Sequence, residues 1–146
     1  MPHFTNKLTP SSGPLFDVVL NVSYPYLQQL KANGSPVPSM VPARALLDTG
    51  ASGTVVDPSI IQKLAISPKG TGQFITPSTA NVPHQAYTYD IALFLNHQGY
   101  SKPFLTLPVA ELKLAHQGFE VLIGRDVLDK CLFIYDGPSR IFTLSI

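Results

Sequence analysis

The chain has a single cysteine, no tryptophan and few charged residues, since Asp, Glu, Lys and Arg make up 13% of its 146 residues and the net charge is +1. One cysteine excludes an intramolecular disulfide framework and fits a reducing compartment. Because Lys and Arg form no basic stripe, nucleic acid is not expected as a partner. What remains is a small globular domain whose function does not rest on its net charge.

Long apolar runs are also absent, and none reaches the length needed to span a bilayer. Residues 1–7 lack the apolar stretch of a secretion signal. We therefore expect no membrane partner, and either a cytoplasmic protein or a domain of a larger one. The four histidines and one cysteine show no metal-ligand spacing, so neither a metal nor another cofactor is predicted. Cys131 precedes two apolar residues, which favours a buried, inert thiol over a nucleophile.

Proline and glycine are frequent, with 14 Pro and 10 Gly in a chain that is 45% apolar. This composition favours many short strands joined by ordered turns over a helical bundle. The length of 146 residues corresponds to one domain with its own core. The predicted fold class is mainly β, with two or three short helices. Residues 1–14 are expected to form a flexible N-terminal arm, and residues 15–146 the domain itself.

Apolar runs mark the predicted strands, and Pro/Gly clusters separate them. The stretch 24–40 carries three prolines and Asn-Gly, and is interpreted as an elongated loop with at most one helical turn at 26–31. Asp57-Pro58 predicts a helix start with the acid as N-cap, and Asp126 is interpreted as the cap of another short helix. The strands are predicted at 15–22, 41–47, 53–57, 87–95 and 102–109, followed by a hairpin of 132–135 and 141–144.

Residues 45–52, ALLDTGAS, place the carboxylate of Asp48 where an apolar strand ends. A charge in apolar surroundings has a desolvation cost, and Arg44 is the one cation close by in sequence. Carboxylates held in this way are usually held for chemistry. Thr49 supplies a hydroxyl that can brace the turn, and Gly50 allows a second backbone or a substrate to approach closely. Asp48 is therefore the candidate catalytic residue.

This loop, Asp48-Thr49-Gly50 followed by Ala51-Ser52, resembles the active-site loop of aspartic proteases. The short chain is similar to the retropepsin-like branch, the single-domain relatives of retroviral protease found in bacteria, cells and retroelements. A second segment, 121–128 or VLIGRDVL, resembles the family's other signature, in which apolar residues precede Gly-Arg-Asp/Asn and a short helix. Together the motifs are more specific than Asp-Thr-Gly alone. The resemblance covers 15–146, with 24–40 unmatched.

The resemblance implies a single-domain acid-protease barrel that acts as an aspartic endopeptidase on an extended peptide or protein substrate. In this chemistry two carboxylates about 3 Å apart share a proton, one acting as base toward water and the other protonating the scissile carbonyl. The chain holds one Asp-Thr-Gly only. The second carboxylate must therefore come from a second copy, which implies a homodimer.

Further roles follow from the same resemblance. Thr49 would brace the partner's loop, the carbonyl of Gly50 would accept a hydrogen bond from substrate backbone, and the hairpin at about 70–85 would close as a flap. Gly124, Arg125 and Asp126 would be structural. The residues expected to contact substrate are Ala51, Ser52, Phe74, Ile75, Val82 and Ile123.

Ser52 departs from the retroviral pattern, which has an acid that pairs with the Arg of the Gly-Arg motif. Arg125 must then find another partner, for which Asp126, Asp129 and backbone carbonyls are the candidates. The segment Gly50-Ala51-Ser52-Gly53 is one residue short of a G-x-S-x-G elbow, so a hydroxyl that hydrogen-bonds the loop is preferred to a serine nucleophile.

Three alternatives stay open at this point. Asp48 can be an ordinary turn residue satisfied by local amides. The chain can be a non-catalytic peptide-binding or dimerisation module that keeps the fold, and the altered surroundings of Arg125 and the 24–40 stretch motivate this hypothesis. It can also be a processing domain of a larger or transposon-like polyprotein.

Overall fold

The computed structural model describes residues 1–74 and 84–146, and in this part of the chain strands dominate over short helices. The α-helices of these residues are α1 (Tyr24–Ala32), α2 (Pro58–Leu64) and α3 (Arg125–Leu128), and Ala115–Gln117 form a short 3₁₀ helix. The strands are β1 (His3–Lys7), β2 (Leu15–Val22), β3 (Val41–Leu47), β4 (Val55–Val56), β5 (Gly70–Phe74), β6 (His84–His97), β7 (Tyr100–Glu111), β8 (Val121–Ile123), β9 (Leu132–Asp136) and β10 (Ile141–Ser145). None of these helices is long and apolar enough to cross a membrane.

The main sheet closes on itself as a barrel. Its strands follow the order β2-β3-β8-β4-β7-β6, and β6 pairs back onto β2. β5 pairs with residues 84–88 of β6, on the same edge of β6 whose residues 91–95 pair with β2. Two pairs within the barrel, β3 with β8 and β4 with β7, are parallel, and the others are antiparallel. The predicted mainly β barrel with short helices is confirmed.

The barrel interior is filled by apolar side chains, which on some strands alternate with more exposed ones, as one-sided strands require. On β3 and β8 the residues Ala45, Leu47, Val121 and Ile123 are buried, whereas Leu46 and Leu122 between them are only partly buried. This places β3 and β8 side by side over the core, and residues that follow them emerge together at one edge of the barrel.

The N-terminal segment is a strand, so the expectation of a flexible arm over residues 1–14 was wrong for residues 3–7. β1 pairs antiparallel with β10, and β10 pairs with β9, which makes a separate three-stranded sheet. Phe4 is buried in the core, and its ring centroid lies 4.4 Å from that of His97. A single apolar residue in a polar stretch gives no periodic pattern from which a strand could be predicted. The strand is stabilised by Phe4 and by its pairing with β10, which is distant in sequence.

The stretch 24–40 also differs from the expected loop, because its first part is the nine-residue helix α1. Pro25 lies in the first turn, where the missing N–H leaves no hydrogen bond unmade. Leu27 and Leu30 pack against the core, which stabilises the helix where its polar residues do not. Gly34, with a φ of +64°, ends the helical stretch.

Helix α2 begins as the sequence predicts. Asp57 is its N-cap, and Oδ1 accepts a hydrogen bond from the backbone N–H of Ser59 at 2.9 Å. The other oxygen of the same carboxylate accepts the N–H groups of Leu114 and Ala115 at 2.7 and 2.8 Å. Asp57 thus ties the helix start to the segment between β7 and β8. Three residues of α2 are buried: Ile60, Ile61 and Leu64.

Candidate active site

Asp48 directly follows β3, at the edge of the barrel where β8 also ends. Its backbone N–H donates to the carbonyl of Ile123 at 2.9 Å, which continues the parallel β3–β8 ladder by one more bond. Leu47, the last residue of β3, is buried, whereas Asp48 is only partly buried. The carboxylate is therefore delivered from a rigid core strand to a position that solvent or a ligand can reach.

The turn that follows folds back on the carboxylate. The N–H of Gly50 donates to Asp48 Oδ1 at 2.8 Å, and the N–H of Ala51 donates to the Asp48 carbonyl at 3.3 Å. A Cβ on Gly50 would lie 3.0 Å from Oδ1, tighter than an ordinary contact. The glycine therefore lets its amide orient one oxygen of the carboxylate. In the described part of the chain, Oδ2 accepts no hydrogen bond.

The second motif packs directly behind this turn. A Cβ on Gly124 would lie 2.5, 2.6 and 2.9 Å from the carbonyl oxygen, carbonyl carbon and nitrogen of Gly53. Only glycine permits this approach of two backbones. The N–H of Arg125 also donates to the carbonyl of Ala51 at 2.9 Å. The two motifs are thus joined through their main chains.

The Arg125 side chain braces the same turn, because its Nη1 donates to the Thr49 carbonyl at 2.8 Å. Backbone carbonyls were one of the candidate partners, and this one is confirmed. The contact fixes the peptide that follows Asp48. Thr49 itself is exposed, as is the guanidinium.

Asp126 holds the loop through hydrogen bonds to Thr54, a residue that the sequence analysis did not identify. Its Oδ2 accepts the N–H of Thr54 at 3.0 Å, and its Oδ1 accepts the Thr54 hydroxyl at 2.8 Å. Thr54 is 2% exposed, and its hydroxyl oxygen also accepts the N–H of Gly124 at 3.3 Å. The prediction that Asp126 caps a helix was wrong, because Gly124 occupies the N-cap of α3 and Asp126 bonds across to Thr54.

Two residues expected to contact substrate, Ser52 and Ile123, differ in their exposure. Ser52 is exposed beside the turn, but among the described residues its hydroxyl makes no hydrogen bond, and Thr54 takes the loop-bonding role expected of it. Ile123 is 0% exposed and packs in the core, so its side chain is not available to a substrate. Its carbonyl instead anchors Asp48. The expectation for Ile123 is corrected accordingly.

The stem of the expected flap is an antiparallel pair of β5 and the start of β6, with Gly70 opposite Thr88 and Phe74 opposite His84. Ile75 and Val82 lie outside the described residues. The expectation that Phe74, Ile75 and Val82 contact substrate stays a prediction.

The surroundings of two other ionisable side chains, Cys131 and Tyr89, make them less acidic than usual. Burial raises the pKa of the Cys131 thiol, which donates to the Val127 carbonyl at 3.6 Å. Burial, and then the hydrogen bond to Glu111, raises the pKa of Tyr89 to about 12. Within residues 1–74 and 84–146, no group of three His, Cys, Asp or Glu side chains is arranged to hold a metal ion.

Comparison with known proteins identifies the family and the fold. The family model described as "gag-polyprotein putative aspartyl protease" matches residues 30–130. No match to a curated protein is significant. Among solved structures, a retropepsin-like aspartic protease from Rickettsia conorii is similar in fold, with a TM-score of 0.59 and 19% identity over 98% of this chain and 89% of that chain. The EIAV protease in complex with an inhibitor has a TM-score of 0.43 and 19% identity over 80% and 86% of the two chains. The retroviral protease-like domain of Ddi1 from Leishmania major has a TM-score of 0.44 and 15% identity, over 84% of this chain and 82% of that chain.

Proposed function

The chain belongs to the family of gag-polyprotein aspartyl proteases, and from this premise we propose that it is a homodimeric aspartic endopeptidase in which Asp48 of each copy activates the attacking water. The observation that carries the proposal is the way the structure positions the Asp48 carboxylate. Its carboxylate is half-buried at the end of a core strand, with one oxygen bonded to the Gly50 amide. Its turn is held by Arg125 and, through Thr54, by Asp126.

The proposed chemistry needs two such carboxylates. One Asp48 takes a proton from water as the water attacks the scissile carbonyl, and the other gives a proton to the developing oxyanion. Since the sequence contains a single Asp-Thr-Gly, twofold symmetry supplies the second group. Thr49 would then brace the partner's loop, and the Gly50 carbonyl would accept a hydrogen bond from a backbone N–H of the substrate.

The surroundings of Asp48 favour peptides with apolar residues next to the scissile bond. Leu46 lies two residues before Asp48 in extended chain, so the two side chains point to the same side. Leu122 is its parallel neighbour on β8, and both leucines are only partly buried. An extended peptide would therefore meet apolar surface beside the carboxylate.

Cleavage of an unfolded protein and of a diverse peptide mixture between about pH 3 and 8 tests the proposal. Because the pair must hold one proton, we expect an acidic optimum. Asp48→Asn should lose roughly 10²- to 10⁴-fold or more of the rate while keeping the fold. Full activity in Asp48→Asn would refute the mechanism. A folded, dimeric wild-type chain that binds peptides without cleaving them would favour a non-catalytic module.

A further inference from the structure

An apolar row crosses four strands on the outer face of the barrel. Val19 of β2 pairs with Pro42 of β3 on one side and with Phe94 of β6 on the other, and Phe94 pairs with Pro103 of β7. The residues next to Val19 and Phe94 along their strands are buried in the core, so these two side chains point outward. None of the four residues is fully buried. The barrel therefore presents an apolar strip that another molecule can reach.

Two adjoining cavities open along this row, with volumes of about 420 and 570 Å³. Cavities of about 300–1,000 Å³ are typical of ligand sites. Asn96 lines both cavities, and the smaller one has Val19 and Pro42 as apolar walls. The larger cavity is lined by apolar side chains at Met40, Phe94 and Tyr100.

The polar side chains of the smaller cavity can accept hydrogen bonds. Asp17 lies beside Asn96, one residue beyond the pair of Val18 and Leu95, and both line this cavity. In the described part of the chain, Asn96 Oδ1 is buried and accepts no hydrogen bond. The last torsion of an asparagine side chain is soft, so a donor in the cavity can draw this oxygen toward it.

The carboxylate of Asp17 is available to a ligand as well. Its side chain is 84% exposed, and Arg44 Nε approaches its Oδ1 only to 3.8 Å, which makes a weak surface ion pair. Among the described residues that line the two cavities, Asp17 is the one Asp, Glu, Lys or Arg. At neutral pH the smaller cavity is therefore complementary to a cation.

We propose that this face binds a segment of a partner protein that carries an arginine and an aromatic residue two positions apart. A guanidinium has five N–H donors and no acceptor, so it can donate to the Asp17 carboxylate and to Asn96 Oδ1 at once. Its aliphatic stem would pack along Val19 and Pro42. The aromatic residue would fill the larger cavity, because side chains two apart in an extended segment lie on the same side, about 7 Å from each other.

This site is separate from the candidate active site. Pro42 lies near the start of β3 and Asp48 follows its end, so the two residues are roughly 20 Å apart along the strand. Binding at this face needs neither catalysis nor a second copy of the chain. The proposed function and this site can therefore fail independently.

Titration of the full Asp48→Asn chain at neutral pH with the peptides Ac-Arg-Gly-Trp-NH2 and Ac-Trp-Gly-Arg-NH2 tests the site, since this variant should not cleave the probes. The chain contains no tryptophan, so the fluorescence of the peptide reports binding directly. We expect at least one peptide to bind, with amide NMR shifts at Asp17, Val19, Phe94 and Asn96. A citrulline peptide, which keeps the shape of arginine without its charge, should bind at least tenfold more weakly.

Variants of the two acceptors supply the second readout, with circular dichroism to verify folding. Asp17→Asn should weaken binding at least tenfold, and Asn96→Ala severalfold. Asp129→Asn is the matched control, because it neutralises an exposed carboxylate just after α3 and should leave binding unchanged.

Four results would overturn the proposal. Equal binding of the arginine and citrulline peptides would exclude recognition of the guanidinium. Undiminished binding by folded Asp17→Asn would exclude the carboxylate. NMR shifts confined to residues 48–54 would mean that the peptides enter the candidate active site instead. Absence of binding by both peptides at about 5 mM would exclude the site altogether.

Discussion

Asp126 and Thr54 are joined by two hydrogen bonds, in which both carboxylate oxygens accept from the threonine, at 3.0 Å from its N–H and 2.8 Å from its hydroxyl. The residues are 72 positions apart in sequence. Their contact locks the segment after the Asp48 turn to the start of α3. With Arg125 bonded to the Thr49 carbonyl, the second motif supports both ends of the turn. The candidate carboxylate is thus positioned by residues that do no chemistry themselves.

Removal of the Asp126 carboxylate should therefore damage stability and activity together. Asp126→Ala leaves the buried N–H and hydroxyl of Thr54 without their acceptor, and we expect the free energy of unfolding to fall by about 2–4 kcal/mol. Urea denaturation measures this loss. Asp129→Ala, which removes an exposed carboxylate just after the same helix, should change stability by less than about 0.5 kcal/mol. Equal stability of the two variants would contradict the bracing role.

Gly124→Ala should be among the most damaging single changes. The added methyl would lie within 2.9 Å of three backbone atoms of Gly53, which cannot move aside as a flexible side chain would. We expect a loss of about 3 kcal/mol or more, or failure to fold. Gly137→Ala, whose methyl would meet only the Tyr135 ring at 3.7 Å, is the control and should stay near wild type in thermal unfolding. A mild effect at position 124 would show that the contact is looser than described.

Arg125→Ala should separate activity from stability. The guanidinium is exposed, so the lost hydrogen bond should cost less than about 1 kcal/mol of folding free energy. Yet the Thr49 peptide beside Asp48 loses its brace, and kcat should fall roughly ten- to a hundredfold. Arg44→Ala removes an exposed arginine whose side chain only approaches Asp17 at 3.8 Å, and should keep full activity. Unaltered kcat in Arg125→Ala would exclude a positioning role.

Acid should weaken the fold through Asp57. Burial raises the pKa of this carboxyl, but the backbone N–H groups of Ser59, Leu114 and Ala115 outweigh it and lower the pKa from 3.8 to about 2. Because the folded pKa is the lower one, the stabilisation is complete above the unfolded value and is lost as the pH falls from about 4 through 2. The loss should reach about 2 kcal/mol.

Urea midpoints measured at successive pH values check this contribution. Asp57→Asn cannot accept all three N–H groups, so it should be less stable than wild type at neutral pH and should lose less further stability in acid. If the urea midpoints of the two proteins fell in parallel between about pH 5 and 2, the acid sensitivity would belong to other carboxylates.

Both motifs of the candidate site could be predicted from sequence, because Asp48-Thr49-Gly50 and Gly124-Arg125-Asp126 are local combinations of residue types. The role of Thr54 could not, since a threonine at the start of a β-branched strand has an ordinary local explanation. Its importance comes from a partner 72 residues away. Ile123 was misassigned for a related reason: the alternation that buries its side chain depends on which face of β8 meets the core.

The fold shows the same division. Barrel strands with apolar runs, the Asp57 cap and the C-terminal hairpin could be predicted, because each has a local signal. β1 has one apolar anchor, Phe4, and gains its remaining stability by pairing with β10 at the other end of the chain. α1 was obscured by prolines, of which Pro25 is harmless in the first turn.

The central claim, that two copies each supply one Asp48 to a single site, is tested most directly by mixing wild type with a ninefold excess of Asp48→Asn after subunit exchange. If the site is shared, mixed dimers are inactive, and cleavage by the fixed amount of wild type should fall roughly tenfold. Raising the substrate concentration controls for substrate sequestration by the variant, because a rate lowered by sequestration alone would recover. A rate unaffected by Asp48→Asn would mean that each chain acts alone, and would contradict the account.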